Sequence, residues 1–425
     1  MAAAVRSDHP SRRKPVPIIP RNILVAPAGF KESLDAGTVA RAISAGVRRT
    51  MPGARVKTVP VPDGGEGTAH MLAESTGGRL VHRTVTGPVG QPVESHFALL
   101  GGKAQGVAVV EMAAAAGLRL VPRDMRDPTL TTTRGVGELI HAALEHDIHT
   151  ILIGCGDSGT SDGGLGALQA LGVRIADAQG REVGHGGRCL ADVATLDMSG
   201  LPSALRDGKV KMVMALNAHN ILTGERGVAR VFGPQKGASP QQVAELERGF
   251  DNWARKLAEY ALPQARDIDF ARGAGTGASG GLGAGLAAIG AQLVSRFQAL
   301  LDSGLAGFDM NALLKGADLV ITAEGAIDFQ TPRGKVPAEI ARRAGELGVP
   351  VVALAGTLGK GAQDVYDIGI DAIASIVPIP MSLEQAIEAG ERLLVEATER
   401  LMRTLLLGVA MTVRSTDVKE TAAAW

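Results

Sequence analysis

Short apolar runs alternate with amphipathic segments at both ends of this chain, and that alternation constrains the fold more than any other feature. Asn22–Pro27 (N-I-L-V-A-P) is an apolar run closed by proline and reads as a buried strand. Val39, Ala42, Ile43, Gly46 and Val47 then recur at helical spacing, behind an N-cap expected at Asp35. A second strand follows near Val56–Val61. Towards the far end the pattern returns as strand Asp318–Thr322, helix Pro337–Leu347, strands Val351–Leu354 and Ala372–Val377, and helix Leu383–Leu407. Such an order implies a parallel sheet covered by helices on both faces.

The stretch between Gly77 and Gly290 reads differently. It holds Thr/Val-rich segments at Arg79–Thr86 and His96–Leu100, a strand–loop–helix unit at Thr150–Leu171 and a strand at Val210–Leu216. A Gly-rich stretch from Gly273 to Gly285 then opens a helix expected over Leu282–Leu293. We read this as a second α/β domain inserted into the first. The expected division is 22–76 plus 295–412 for a doubly wound Rossmann- or flavodoxin-like domain, and 77–294 for the inserted one. Segments 1–21 and 413–425 are expected to be tails, the first of them disordered and without the apolar stretch of a secretory signal.

Composition narrows the ligand. Gly is 56 of 425 residues, about twice average usage, while aromatics are only 3%. Glycine lets backbone N–H groups approach an anion closely, whereas stacking on bases or sugars needs aromatic rings. Lys+Arg and Asp+Glu are equal at 44 each, which argues against a nucleic-acid surface. No apolar stretch reaches the roughly 20 residues of a membrane span. Cys155 and Cys189 cannot build a disulfide framework, so the expected location is the reducing cytoplasm. The composition points to a small anionic ligand.

In open parallel sheets, ligands bind beyond the carboxyl ends of the strands. Three polar segments fall there: Gly29-Phe-Lys31-Glu-Ser33, Ala323-Glu324-Gly-Ala-Ile-Asp328 and Gly356-Thr357. A lysine, two carboxylates and a hydroxyl on one face suit phosphoryl transfer, though solvated loop charges would read the same way. Asp63-Gly-Gly-Glu66-Gly-Thr68 adds two carboxylates on a flexible backbone, as a general base or Mg²⁺ ligand, or as a plain turn. Gly154-Cys-Gly-Asp-Ser-Gly159, with Asp177 further on, approaches a dinucleotide-binding fingerprint. Its continuation Thr160-Ser-Asp-Gly-Gly164 is more polar than such a helix start should be. Gly273–Gly281 reads as an anion cradle at a helix N-terminus or as a hinge, and no Walker A sequence occurs.

These blocks together resemble the glycerate kinase family, of the bacterial glycerate 2-kinase type, over nearly all of Asn22 to Leu407. The matching segments are A-P-A-G-F-K-E-S-L (26–34), V-P-D-G-G-E-G-T (61–68) and D-P-T-L-T-T-T-R-G-V-G-E-L-I (127–140). They continue with G-C-G-D-S-G-T-S-D-G-G-L-G (154–166), F-G-P-Q-K-G-A (232–238) and D-L-V-I-T-A-E-G-A-I-D-F-Q-T-P-R-G-K-V-P (318–337). The resemblance implies a two-domain α/β fold with its active site in the cleft between domains. It further implies transfer of the ATP γ-phosphate, with Mg²⁺, to D-glycerate or a closely related short hydroxy acid, 2-phosphoglycerate being the expected product. On this resemblance Lys31, Asp63 and Asp162 are expected to be catalytic, and Glu324 and Asp328 to hold the metal. Ser33, Glu66, Thr133, Arg134, Asp157, Ser158, Asn217, Lys236, Gly280, Gln330 and Lys335 are expected to bind substrate or phosphate. Neither nucleic acid nor membrane is an expected partner, and a homodimer is compatible with the reading.

The chain also departs from the family pattern. Ala28-Gly29 stands where the family has Asp-Ser, and Asp157, Gly159 and Ser161 stand for Gly, Ala and Asn. Asn217-Ala-His-Asn-Ile221 replaces an Asp-x-Thr-Asn-Pro segment, and Ala323 and Ala326 replace Gly and Arg or Ser. The phosphate and metal side is therefore expected to be intact and the acceptor side altered. Two alternatives stay open: an NAD-dependent oxidoreductase using loop 154–159 with Asp177, and a catalytically weakened nucleotide-binding regulatory protein.

Overall fold

The computed structural model describes residues 19–30 and 33–423, with side chains as far as Met411. Lys31 and most of the expected N-terminal tail lie outside the described residues. The chain begins a first sheet with β1 (Asn22–Val25) and β2 (Arg55–Thr58). It then leaves for a second sheet, starting with β3 (Arg79–Thr86), β4 (Pro92–Leu99), β5 (Val107–Glu111) and β6 (Thr150–Gly154). A separate antiparallel ribbon, β7 (Arg174–Ala176) and β8 (Thr195–Asp197), intervenes before β9 (Lys211–Leu216) and β10 (Gln292–Ser295) complete that sheet. The chain returns to the first sheet for β11 (Leu319–Ile327), β12 (Val351–Leu358) and β13 (Ala372–Ser375).

The first sheet, ordered β13-β12-β11-β1-β2, is parallel throughout. Strand and helix periodicities meet in it. Ile23 and Val25 pack with Val39, Ile43 and Val47 of helix Ala36–Thr50, and with Leu393 and Leu394 of the last helix. Leu24 joins Val320, Ala353, Val336 and Ile340 in another cluster, which includes helix Val336–Glu346. Both faces are covered, so the inner strands β1, β11 and β12 are apolar on both sides rather than alternating. Asp35 caps its helix as expected, accepting from the Thr38 amide at 2.8 Å.

The second sheet runs β10-β9-β6-β5-β4-β3. Its first four members are parallel, while β3 and β4 form an antiparallel hairpin with Val81 opposite Phe97. The tight turn at Gly87–Gln91 is too short for a crossover, which leaves the antiparallel arrangement. Three expected boundaries move. The helix expected to reach Leu293 ends at Ala288, because Gly290 at φ 97° turns the chain into β10. The last helix runs Gly390–Ala423, across much of the expected C-terminal tail. β11 and β12 do not give way to loops at Thr322 and Leu354 but stay paired as far as Ile327 and Leu358. A Cβ at Gly356 would stand 2.5 Å from the Gly325 carbonyl oxygen. The glycines that suggested a loop are what lets the two strands run on together. No helix among the described residues is long and apolar enough to cross a membrane.

Candidate active site

The carboxyl edges of the two sheets meet at a seam. The Asp63 loop follows β2 and lies against the ends of β6 and β9: a Cβ on Gly64 would stand 3.1 Å from the Ala215 carbonyl and 3.2 Å from the Cys155 amide. Asp63 Oδ1 accepts from the Gly65 amide at 2.9 Å. Asp157, just beyond β6, comes to the same place, since a Cβ on Gly65 would be 2.7 Å from Asp157 Oδ2 and 3.0 Å from Asp63 Oδ1. Asp157 takes φ 51°, a conformation that Asp tolerates better than most residues. Glu66 turns to the rim and pairs with Arg119 at 2.9 Å, both about half exposed.

On the other side of the seam, Lys335 sits between two carboxylates. Its Nζ lies 3.2 Å from Glu324 Oε1 and 3.5 Å from Asp328 Oδ1, and it donates to the Ala326 carbonyl at 3.4 Å. Gln330 is exposed, and its amide donates to Asp328 Oδ1 at 2.8 Å. Segment 330–335 is tied to the second sheet by two donors. Asn217 Nδ2, just beyond β9, donates to the Arg333 carbonyl at 3.1 Å. Arg296, just beyond β10, donates to the Gly334 carbonyl and, at 3.2 Å, to the Asp63 carbonyl. Asp63, Asp157, Asn217, Glu324, Asp328, Gln330 and Lys335 thus come from the ends of four strands, β2, β6, β9 and β11, to one seam.

Other expected site residues lie beneath this surface. Asp162 is fully buried, and its carboxylate accepts from the Thr133 amide and hydroxyl (2.8 and 2.9 Å) and from the amides of Gly164 and Gly166. Burial raises its carboxyl, against the lowering effect of those donors. A carboxylate so enclosed is bonded within loop 154–166 and is not exposed at the seam, where a catalytic group was expected. Lys236, 2% exposed, donates to Ser158 Oγ at 2.9 Å and to the Thr160 carbonyl. Burial pushes its ammonium down to about 7, against the pull of Asp162. Gly280 at φ 70° is packed so closely that a Cβ would stand 1.9 Å from the Thr160 carbonyl oxygen. Trp253, fully buried, donates from Nε1 to the Gly163 carbonyl at 2.9 Å. Lys236, Thr133 and Gly280 therefore support the glycine loop from below, and no straight helix start is formed, because Ser279, Gly280 and Gly281 all take positive φ.

Two expected residues face elsewhere. Arg134 donates to Glu138 at 3.1 Å, and Glu138 also accepts from the Thr86 amide and hydroxyl on β3. Ser33 lies near the start of the last helix, its Oγ 3.4 Å from where a Cβ on Gly390 would be. Ala28 is buried, with its amide bonded to the Ala323 carbonyl. Asp177 belongs to the separate ribbon and accepts from the Gln179 and Arg181 amides of its own turn. A dinucleotide-binding acidic residue would end a strand next to β6, whose neighbours here are β5 and β9, so the oxidoreductase alternative loses its support.

Sequence reading missed Glu111, which ends β5. It is 1% exposed and accepts from the Gly67 and Ala69 amides at the start of helix Thr68–Thr76. Burial pushes its carboxyl up to about 7, the two amides oppose this, and the charges of Glu66 and Asp63 add to it. The signal was present: a carboxylate closing the apolar run Val107–Val110 belongs at the ligand-binding edge. Arg296 and Arg119 were also missed, and nothing in their sequence neighbourhoods marks them.

The glycerate kinase family model matches residues 23–406. Glycerate kinase of Bacillus subtilis (strain 168) is 43% identical over 390 residues, 92% of this chain and 98% of its own length. Glycerate 2-kinase of Escherichia coli (strain K12) is 40% identical over 389 residues, 91% of this chain and 98% of its own. A crystal structure of a Salmonella typhimurium LT2 protein designated glycerate kinase 2 matches with a TM-score of 0.72 at 40% identity, over 91% of this chain and 98% of that one. Likeness that runs from β1 into the last helix, in sequence and in fold, makes the chain a member of the glycerate kinase family.

Proposed function

We propose that this protein transfers the γ-phosphoryl group of ATP to a hydroxyl of D-glycerate, giving 2-phosphoglycerate, at the seam between its two sheets. The observation that carries this reading is Lys335 held between Glu324 and Asp328, opposite the Asp63 loop. Phosphoryl transfer is catalysed mainly by positioning and charge stabilisation, and an ammonium beside two carboxylates supplies both signs of charge. Relatives named glycerate kinase and glycerate 2-kinase support the acceptor and the product.

The residues suit Mg²⁺. Glu324 and Asp328 are hard oxygen ligands, and this ion is commonly held by one or two carboxylates together with substrate phosphates. When bound, it neutralises charge on the phosphates. Asp63, part-exposed and with Oδ1 on the Gly65 amide, is the candidate general base for the acceptor hydroxyl. Asp157, against the same glycine, is the candidate for selecting among acceptors. Lys31, beyond the end of β1, remains a candidate for the phosphates. We place the reaction in the cytoplasm.

The test is an ADP-release assay with MgATP across three- and four-carbon hydroxy acids. D-Glycerate should give the highest kcat/KM. Nucleotide binding by calorimetry without turnover on any acceptor would contradict the reading and favour a regulatory binding protein.

A further inference from the structure

Arg296 marks the point where the chain passes from one core to the other. Val294, two residues before it, packs beside Leu152 and Ala215 of the second sheet. Phe297, the next residue, is 5% exposed in a cluster with Leu24, Ala28 and Val61 of the first. The guanidinium lies over the Phe297 ring, with Cζ 5.0 Å from its centroid, and its side chain is only 13% exposed. From there it spans two segments remote in sequence. Nη1 donates to the Asp63 carbonyl at 3.2 Å and lies 3.6 Å from Asp63 Oδ2, while Nη2 donates to the Gly334 carbonyl. Nε is buried with no hydrogen-bond partner, so the site is organised around the two terminal nitrogens.

We propose that Arg296 is a positioning residue that sets the spacing between the Asp63 loop and the Lys335–Glu324–Asp328 cluster. A planar fork with diverging donors can hold two carbonyls at a fixed separation, whereas an ammonium on a flexible stem cannot. Its location at the crossing between cores places this one side chain in contact with both segments of the seam. The Asn217 bond to the Arg333 carbonyl fixes the same segment from β9, but does not reach Asp63.

The kinetic arm of the test rests on the phosphotransfer reading, and the exchange arm does not. Arg296→Lys and Arg296→Ala should lower kcat with D-glycerate by about 10²-fold, the scale of a roughly 1 Å misplacement, while Kd for ADP changes by less than about threefold. Hydrogen–deuterium exchange of the same proteins should rise in both Asp63–Thr68 and Gln330–Lys335, leaving Thr150–Gly154 unchanged. If Arg296→Ala does not fold, Arg296→Lys decides alone. Wild-type kcat in Arg296→Lys, or exchange that rises in only one of the two segments, would overturn the proposal. A wild-type protein that does not phosphorylate glycerate would sink the functional reading and leave the exchange result to judge the coupling.

Discussion

The ionisation of Glu111 links a buried side chain to a measurable pH dependence. Its carboxyl rises from 4.5 to about 7 on burial, so the folded chain holds this proton more tightly than the unfolded one. The stability it contributes is therefore fully present below about 4.5 and lost as pH rises through about 7. A shift of that size corresponds to at most about 3 kcal/mol. The Tm of wild type minus that of Glu111→Gln should fall between about pH 5 and about pH 8. A constant difference would show that the amides of Gly67 and Ala69 outweigh burial. At Glu324 and Asp328 the expected effect is on the metal. Either amide variant should raise the Mg²⁺ concentration for half-maximal rate by about 10-fold or more, before ADP binding is lost. Unaltered Mg²⁺ dependence would make the pair a structural partner of Lys335. Carboxylates such as Asp63 and Glu324 were legible in the sequence because glycines and strand ends frame them. Arg296 was not, because it bonds to backbone carbonyls, and a backbone partner leaves no trace in the residue pattern.

Among the elements, the two glycine-rich segments brace each other. Gly280 combines φ 70° with a would-be Cβ 1.9 Å from the Thr160 carbonyl oxygen, two independent reasons against any side chain. Gly280→Ala should cost about 2 to 4 kcal/mol, read from the urea midpoint, by strain and overpacking together. A variant within about 0.5 kcal/mol of wild type would mean that the segment can shift freely. The strands and helices of the first sheet were legible, because apolar runs and helical spacing are set locally. The length of β11 was not, since Gly325 and Gly356 signal a turn in sequence and make close strand contact in space. The glycine loop 154–159 showed a fingerprint in sequence, yet its meaning depended on which strand neighbours β6, a fact of topology.

For the whole molecule, two sheets built from interleaved stretches of one chain turn their carboxyl edges toward a shared seam. The return of the chain to the first sheet could be read from the order of elements, since its alternation stops after β2 and resumes at β11. The apposition could not, because it is made by Asn217, Arg296 and the carbonyls of Asp63, Arg333 and Gly334. Within that seam the γ-phosphoryl group is proposed to pass from ATP to the acceptor. The most direct test is ³¹P NMR of the purified protein mixed with MgATP and D-glycerate. The prediction is loss of the ATP γ resonance with growth of a phosphomonoester coupled to the C2 proton. Appearance of the ester at C3, or ATP left intact with D-glycerate present, would contradict it.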